Sequence, residues 1–321
     1  MAVLTGPPPP APLPDPSPAS LPEPRPLAPP VRPARTEPAA FWLYLPGAAM
    51  SIVAVLLLGF VAHVTLISQL RFERSQQTAY ADFRQDLANA VAPVGQLDEN
   101  GKLHPLGTPV AVLQIPALGA RFVVLEGTTS GVTQLGPGHR RDTVLPGQAG
   151  TSIIMGRRSS YGAPFAGLDL LNTGDQILVS TGQGKDFVYK VISVRTKDVL
   201  KPVPVATGAG RLTLVTADGG PFYPTDVLRV DADLVTAPQP APPRPLTAAG
   251  LPASEKTMGT DPDAWILVVL WGQALLLATL ALVWARSRWG RWQAWTVGVP
   301  VLGSLGLATA DQIARLLPNL L

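Results

Sequence analysis

The chain has 321 residues and not one cysteine. Disulfides, thiolate metal ligands and thiol nucleophiles are excluded at once, although the absence assigns no compartment. Histidine is scarce too: only His63, His104 and His139 occur. Charge is sparse, with 15% Asp, Glu, Lys and Arg and a formal net charge of +3. No basic cluster interleaved with aromatics is present, so no nucleic-acid partner is expected. No cofactor and no metal are expected either.

What the chain does have is apolar residues, 46% of the total. They concentrate in three uncharged runs: Pro38–Leu70, Ala264–Ala285 and Trp292–Ala310. A membrane-spanning helix needs about 20 such residues. The first two runs meet that length. The third contains Gly298, Gly303, Gly306 and Pro300, and a buried core helix is its alternative. The first run starts too late for a simple cleaved signal peptide and reads as a retained anchor. Between the second and third runs lies Arg286-Ser287-Arg288-Trp289-Gly290-Arg291, with three arginines and no acid. Basic residues in short loops mark the cytoplasmic side. The N-terminus is then expected inside, residues 71–263 outside and the C-terminal tail outside.

The expected organisation follows. Residues 1–40, with fifteen prolines, form a disordered cytoplasmic tail. Transmembrane helix 41–70 leads into an amphipathic helix and connector over 71–108. There Phe72, Tyr80, Phe83, Leu87 and Val91 mark an apolar stripe, on a helix that is either a stalk or packed on the domain. A folded domain occupies 109–235. A Pro-rich linker spans 236–263. Span 264–285, the cytoplasmic Arg loop 286–291, span 292–310 and a C-terminal tail 311–321 complete the chain.

Within 109–235 the pattern is of short strands between turns. Ala111–Ile115, Arg121–Leu125, Ser152–Met155, Leu212–Thr216 and Val227–Val235 are strand-like. Gln176–Ser180 and Phe187–Arg195 flank Gly182-Gln183-Gly184, a hairpin signal. The last strand alternates Val227, Arg229, Asp231, Asp233 against Leu228, Val230, Ala232, Leu234, one polar and one apolar face. Gly162–Leu171 reads as a short helix or turn. The fold expected is mainly β, a closed barrel with short helical insertions, beside three transmembrane α-helices.

Two stretches carry a resemblance. One is Ile153-Ile154-Met155-Gly156-Arg157-Arg158, followed by Tyr161-Gly162-Ala163-Pro164-Phe165; the other is Arg211-Leu212-Thr213-Leu214-Val215-Thr216-Ala217. In this order they resemble the active-site strands of a sortase of the class E or class D actinobacterial type. Leu113–Ala120, Gly136-Pro137-Gly138-His139 and Leu145–Gly150 resemble further landmarks of that family, so the likeness covers about 111–235. It implies a sortase-like closed β-barrel. It also implies a cysteine transpeptidase that cleaves a sorting peptide between Thr and Gly, holds a thioester and passes the acyl group to an amine.

Carried over position by position, the family's cysteine falls on Ala217, its histidine on Arg157 and its arginine on Val227, with Arg229 two residues on and on the same strand face. A methyl group cannot form an acyl-enzyme, and a guanidinium does not shuttle protons near neutrality. The resemblance therefore implies a degenerate member with no intact catalytic set. Asp218 is the one nearby carboxylate, and it lies in a turn-like Asp218-Gly219-Gly220-Pro221. His139 reads as a loop histidine bonded to backbone. Arg157, Arg158 and Arg229 are the candidate ligand-binding residues, as an electropositive groove that captures a carboxylate. The alternative is that Arg157 fills an abandoned site and pairs with Asp218 or a solvated acid.

The function expected is that of a non-catalytic binding or accessory protein at the surface of a Gram-positive bacterium, multi-pass in its plasma membrane. Its expected partners are a sorting-signal-like peptide, a cell-wall component or another membrane protein. A cysteine-independent hydrolase or transpeptidase, and a structural subunit of a membrane complex, are the alternatives.

Overall fold

The computed structural model describes residues 58–63, 67–196, 204–220, 223–289 and 291–321. The expected Pro-rich tail 1–40 and most of the expected first span 41–70 lie outside the described residues. Eight strands close into one barrel in the order β1-β2-β3-β4-β7-β8-β6-β5. They are β1 (Pro109–Ile115), β2 (Ala120–Glu126), β3 (Gly138–His139), β4 (Gly150–Met155), β5 (Gln176–Thr181), β6 (Asp186–Arg195), β7 (Gly210–Gly220) and β8 (Tyr223–Leu234). The barrel interior is apolar, with Leu113, Ile115, Ile154, Phe165, Ile177, Tyr189, Leu214 and Val230 all buried. Every expected strand is found. β3 was not foreseen, because two residues carry no period.

β8 separates its faces as the alternation requires: Leu228, Val230 and Ala232 join the core. Its polar face is not a solvated one, however. Asp231 is buried. It accepts hydrogen bonds from Thr213 Oγ1 at 2.7 Å, Arg195 Nε at 2.6 Å and Ser193 Oγ at 3.3 Å. Neighbouring strands supply these donors, which strand alternation alone does not reveal.

Helix α1 (Ser68–Ala88) packs on the barrel rather than standing off as a stalk. Phe83 and Ala79 are buried against Val112, Val123, Leu125 and Val132. Val91 is exposed, so the stripe ends short of its expected length. α1 also mends a sheet edge. β2 has only the two-residue β3 on that side, and the Gln76 amide serves as an extra rung: Nε2 donates to Val123 O at 3.2 Å and Oε1 accepts from Val123 N at 2.7 Å. The short helix α2 (Ser130–Thr133) follows β2, with the Thr129 side chain capping its start.

Beyond the barrel, helices α3 (Ala264–Trp289) and α4 (Arg291–Arg315) form an antiparallel hairpin. Among the described residues two helical stretches are long and apolar enough to cross a membrane, Ala264–Leu282 and Thr296–Arg315, not the three expected over the whole chain. α4 continues to Arg315, past the expected end at 310. The helices approach closely at Gly298, where an added Cβ would lie 2.5 Å from Leu282 Cδ2. The outer ends of the hairpin are tied to each other and to α1: Asp261 N donates to Arg315 O at 3.3 Å, and Arg71 of α1 pairs with Asp311 of α4.

Replacing Phe83 by Ala removes the aromatic that seats α1. Loss of about 3–5 kcal/mol of stability is expected. Hydrogen exchange should show α1 amides losing protection while β5 and β6 keep theirs.

Candidate functional site

β4 and β7 run side by side in parallel, with Met155 opposite Val215. β8 flanks β7 antiparallel, placing Val227 opposite Ala217 and Arg229 opposite Val215. Strand alternation turns Leu214, Leu228 and Val230 inward to the core and leaves Met155, Val215, Ala217 and Val227 on the outer face. Thr216 lies on the inward side, where its Oγ1 donates to Gly156 O at 2.9 Å. The outer face is not open. Leu320, from the segment after α4, is completely buried against Met155, Val215 and Ala217, with Val227 and Met258 at the margin.

Arg157 follows β4 directly. Gly156 before it has no room for a side chain: a Cβ there would sit 2.6 Å from the Phe165 ring. The Arg157 side chain has no exposed surface. Its Nη1 donates to Ser160 Oγ at 3.1 Å and Leu321 O at 3.0 Å, and its Nη2 donates to Ser130 Oγ at 2.8 Å and Ser130 O at 3.2 Å. The Tyr161 ring lies 5.0 Å from the guanidinium carbon, a cation–π distance. No Asp or Glu among the described residues pairs with it. Burial pulls its pKa down to about 10, with Tyr161 opposing, so the group remains charged at neutral pH. Arg157 Nε and Tyr161 Oη are both buried without a hydrogen-bond partner. The loop that follows is strained. Tyr161, Gly162 and Ala163 have φ of 49°, 74° and 43° in succession, a left-handed run unusual for residues with side chains.

Arg158 turns the other way. Its Nη1 donates to Ala217 O at 3.2 Å and Asp218 Oδ1 at 3.4 Å, and its Nη2 reaches Asp169 at 3.4 Å. The partner expected for Arg157 therefore belongs to Arg158. Arg229 is half-buried and donates to Val227 O at 3.4 Å. Burial, then Arg195, hold its pKa below the usual value. Arg157, Arg158 and Arg229 share no bonding partner, so they do not clamp one point together. His139 joins none of them. It lies in β3, buried, with Nδ1 2.8 Å from Glu126 Oε2 and Nε2 2.9 Å from Val144 O. Its backbone bond matches the expectation; the carboxylate was not foreseen. Sequence reasoning also missed Ser130, Ser160, Tyr161 and the segment Leu317–Leu321. Its one signal was an apolar Leu-Pro-Asn-Leu-Leu stretch where the spanning pattern had ended.

Residues 113–234 match the family model of the sortase domain. These residues form a sortase domain. Over 167 residues it is 31% identical to sortase SrtE1 of Streptomyces coelicolor, covering 48% of this chain and 45% of that protein. Over 92 residues it is 27% identical to sortase D of Bacillus subtilis, covering 29% of this chain and 44% of that one. The chain thus spans less than half the length of these curated relatives. Among solved structures, sortase E1 from Streptomyces coelicolor with a tripeptide in the active site is 30% identical, at a TM-score of 0.34, covering 40% of this chain and 88% of that one. A Clostridium perfringens sortase D5 transpeptidase is 20% identical, at a TM-score of 0.39, covering 51% and 98%.

In this sortase domain the His139–Glu126 pair is structural. A carbonyl on Nε2 and a carboxylate on Nδ1 both call for a donor, which makes the ring an imidazolium. Burial alone would lower its pKa, but the Glu126 charge and hydrogen bond outweigh it and raise the pKa above the ordinary 6.5. A raised folded-state pKa gives stability that is complete below pH 6.5 and fades as pH rises through the raised value. His139→Gln should cost about 3–5 kcal/mol at pH 6. The gap in thermal midpoint between wild type and variant should narrow at alkaline pH; a gap that widens would contradict the charge assignment.

Proposed function

We propose that this sortase domain is a non-catalytic peptide receptor, displayed outside the plasma membrane of a Gram-positive bacterium. The observation that carries the reading is Ala217. It takes the place of the family's thiol, on the outer face beside β4, in a chain with no cysteine anywhere. A methyl carries no lone pair, so covalent catalysis through this position is closed. Arg157, in the place of the histidine, stays charged and holds oxygens instead of moving protons. Asp218 is engaged by Arg158 at 3.4 Å, and no histidine stands with it as a base, which counts against a relocated nucleophile. The two apolar helices of the α3–α4 hairpin supply the anchor. With the Arg-rich turn 286–291 inside, both hairpin ends and the barrel fall outside.

A second reading, a subunit of a membrane complex, draws support from α4. Positions Gly303 and Gly306 have no neighbour within 4 Å of where a Cβ would stand, an open small-residue face of the kind that packs against another helix.

Full-length protein in native membranes, carrying a photoreactive residue in place of Val227, should crosslink to a peptide or protein segment. The same protein incubated with sorting peptides should show no acyl adduct by mass spectrometry. An adduct on Asp218 or any other side chain would restore an enzyme and end the receptor reading. Gly303→Leu/Gly306→Leu should leave the crosslink unchanged; loss of a co-purifying membrane protein without loss of the crosslink would favour the second reading.

A further inference from the structure

The segment after α4 is bound at four residues to the barrel, its loops or the stretch before α3. Leu317 O accepts from Ser130 Oγ at 3.1 Å. Asn319, fully buried, donates from Nδ2 to Thr128 O at 2.6 Å and Lys256 O at 2.9 Å, and from its backbone N to Gly259 O at 2.9 Å. Leu320 O accepts from the Arg158 backbone N at 3.0 Å. Leu321 O accepts from Ser160 Oγ at 2.5 Å and from Arg157 Nη1 at 3.0 Å. The Leu320 side chain fills the outer face beside Ala217.

This is how a peptide ligand is held: backbone polar groups matched one by one, and one apolar side chain in a pocket. The fit is not a by-product of barrel folding. Leu320 is no part of the main barrel core. The buried guanidinium, which has no Asp or Glu partner among the described residues, depends on the segment for one of its acceptors.

We infer that residues 317–321 are a built-in occupant of a peptide-docking groove, a latch that keeps other chains out until it lifts. The groove takes an extended peptide with a leucine-like side chain at the Ala217 pocket and a backbone oxygen on Arg157. Its identity as a receptor site rests on the reading above; the latch itself rests on the contacts just described. The latch leaves α4 only after Arg315, whose carbonyl accepts from Asp261 N at 3.3 Å. A shift of the membrane hairpin against the barrel therefore pulls directly on the occupant.

Because the chain has no cysteine, Ala217→Cys in the full-length protein in lipid nanodiscs places a single thiol under Leu320. Maleimide should label it slowly. Adding Leu320→Asp should speed labelling on the order of tenfold or more, and exchange at the Arg158 amide should rise alike, since both report local release of the segment. Protection of β1 and β5 should be unchanged, showing an intact barrel. A fluorescent peptide with the sequence of residues 316–321 should bind the Leu320→Asp protein and not the wild type, and Arg157→Gln added to Leu320→Asp should weaken that binding. Equal labelling rates with and without Leu320→Asp, or equal peptide binding to wild type, would overturn the latch. Asn319→Ala, which removes the two hydrogen bonds of Nδ2 without adding charge, should move both readouts in the same direction; no movement in either would overturn it too. The Val227 crosslinking experiment, repeated in the Leu320→Asp protein, fails separately: finding no outside peptide there sinks the receptor reading and leaves the labelling result standing.

Discussion

A charged guanidinium with no accessible surface and no Asp or Glu partner among the described residues is the constraint around which this site is organised. Taking such a group out of water is costly unless oxygens replace the water. Arg157 obtains them from three separate parts of the chain: Ser130 in α2, Ser160 in the strained loop after β4, and Leu321 beyond α4. Nothing in barrel closure demands that these three meet. The Tyr161 ring lies over the same cation, and its left-handed backbone is tolerated because the surrounding packing holds it.

The barrel was legible because its strands obey period two and its turns carry glycine. β1, β2, β4, β5, β6, β7 and β8 all lie where alternation and turn residues put them. What alternation could not tell was how a polar face is covered. Asp231, placed on the polar face, is buried because Arg195 and Thr213 reach it from the two flanking strands, β6 and β7. The arginine pair failed for a related reason. Strand parity holds only to Met155, where β4 ends. Past it, backbone geometry alone decided that Arg158 and not Arg157 would reach Asp218. The latch left only an apolar stretch as a signal. Five residues without charge or period give no pattern, and their meaning lies in partners distant in sequence, from Ser130 to Gly259.

The apolar hairpin and α1 share these connections. Arg71 of α1 pairs with Asp311 of α4, and α1 is seated on β1 and β2 through Phe83 and Gln76. The segment 253–259 lies against Asn319 on one side and is held by Glu255 on the other, which binds Arg141 and Thr128. The hairpin is thus joined to the barrel at both of its ends. A rigid joint of this kind transmits displacement, since packed interfaces shift between discrete arrangements and do not stretch.

On the receptor reading, the exchange of side chains is chemically coherent. A thiol at position 217 would stand where the methyl of Ala217 now meets Leu320, and its reactivity would be wasted on a ligand meant to be kept. An imidazole offers at most two ring nitrogens, one of them a donor in the neutral form; a guanidinium offers five donors in a fixed fork. Arg157 uses that fork to join Ser130 and Ser160 to one peptide oxygen. The pair Ala217 and Arg157 therefore trades bond-making for bond-holding: room for an apolar side chain at one end, a permanent cation for backbone oxygens at the other. Selection for affinity acts on such a site through the segment that already occupies it, because any outside peptide must bind more tightly than a ligand tethered at high effective concentration.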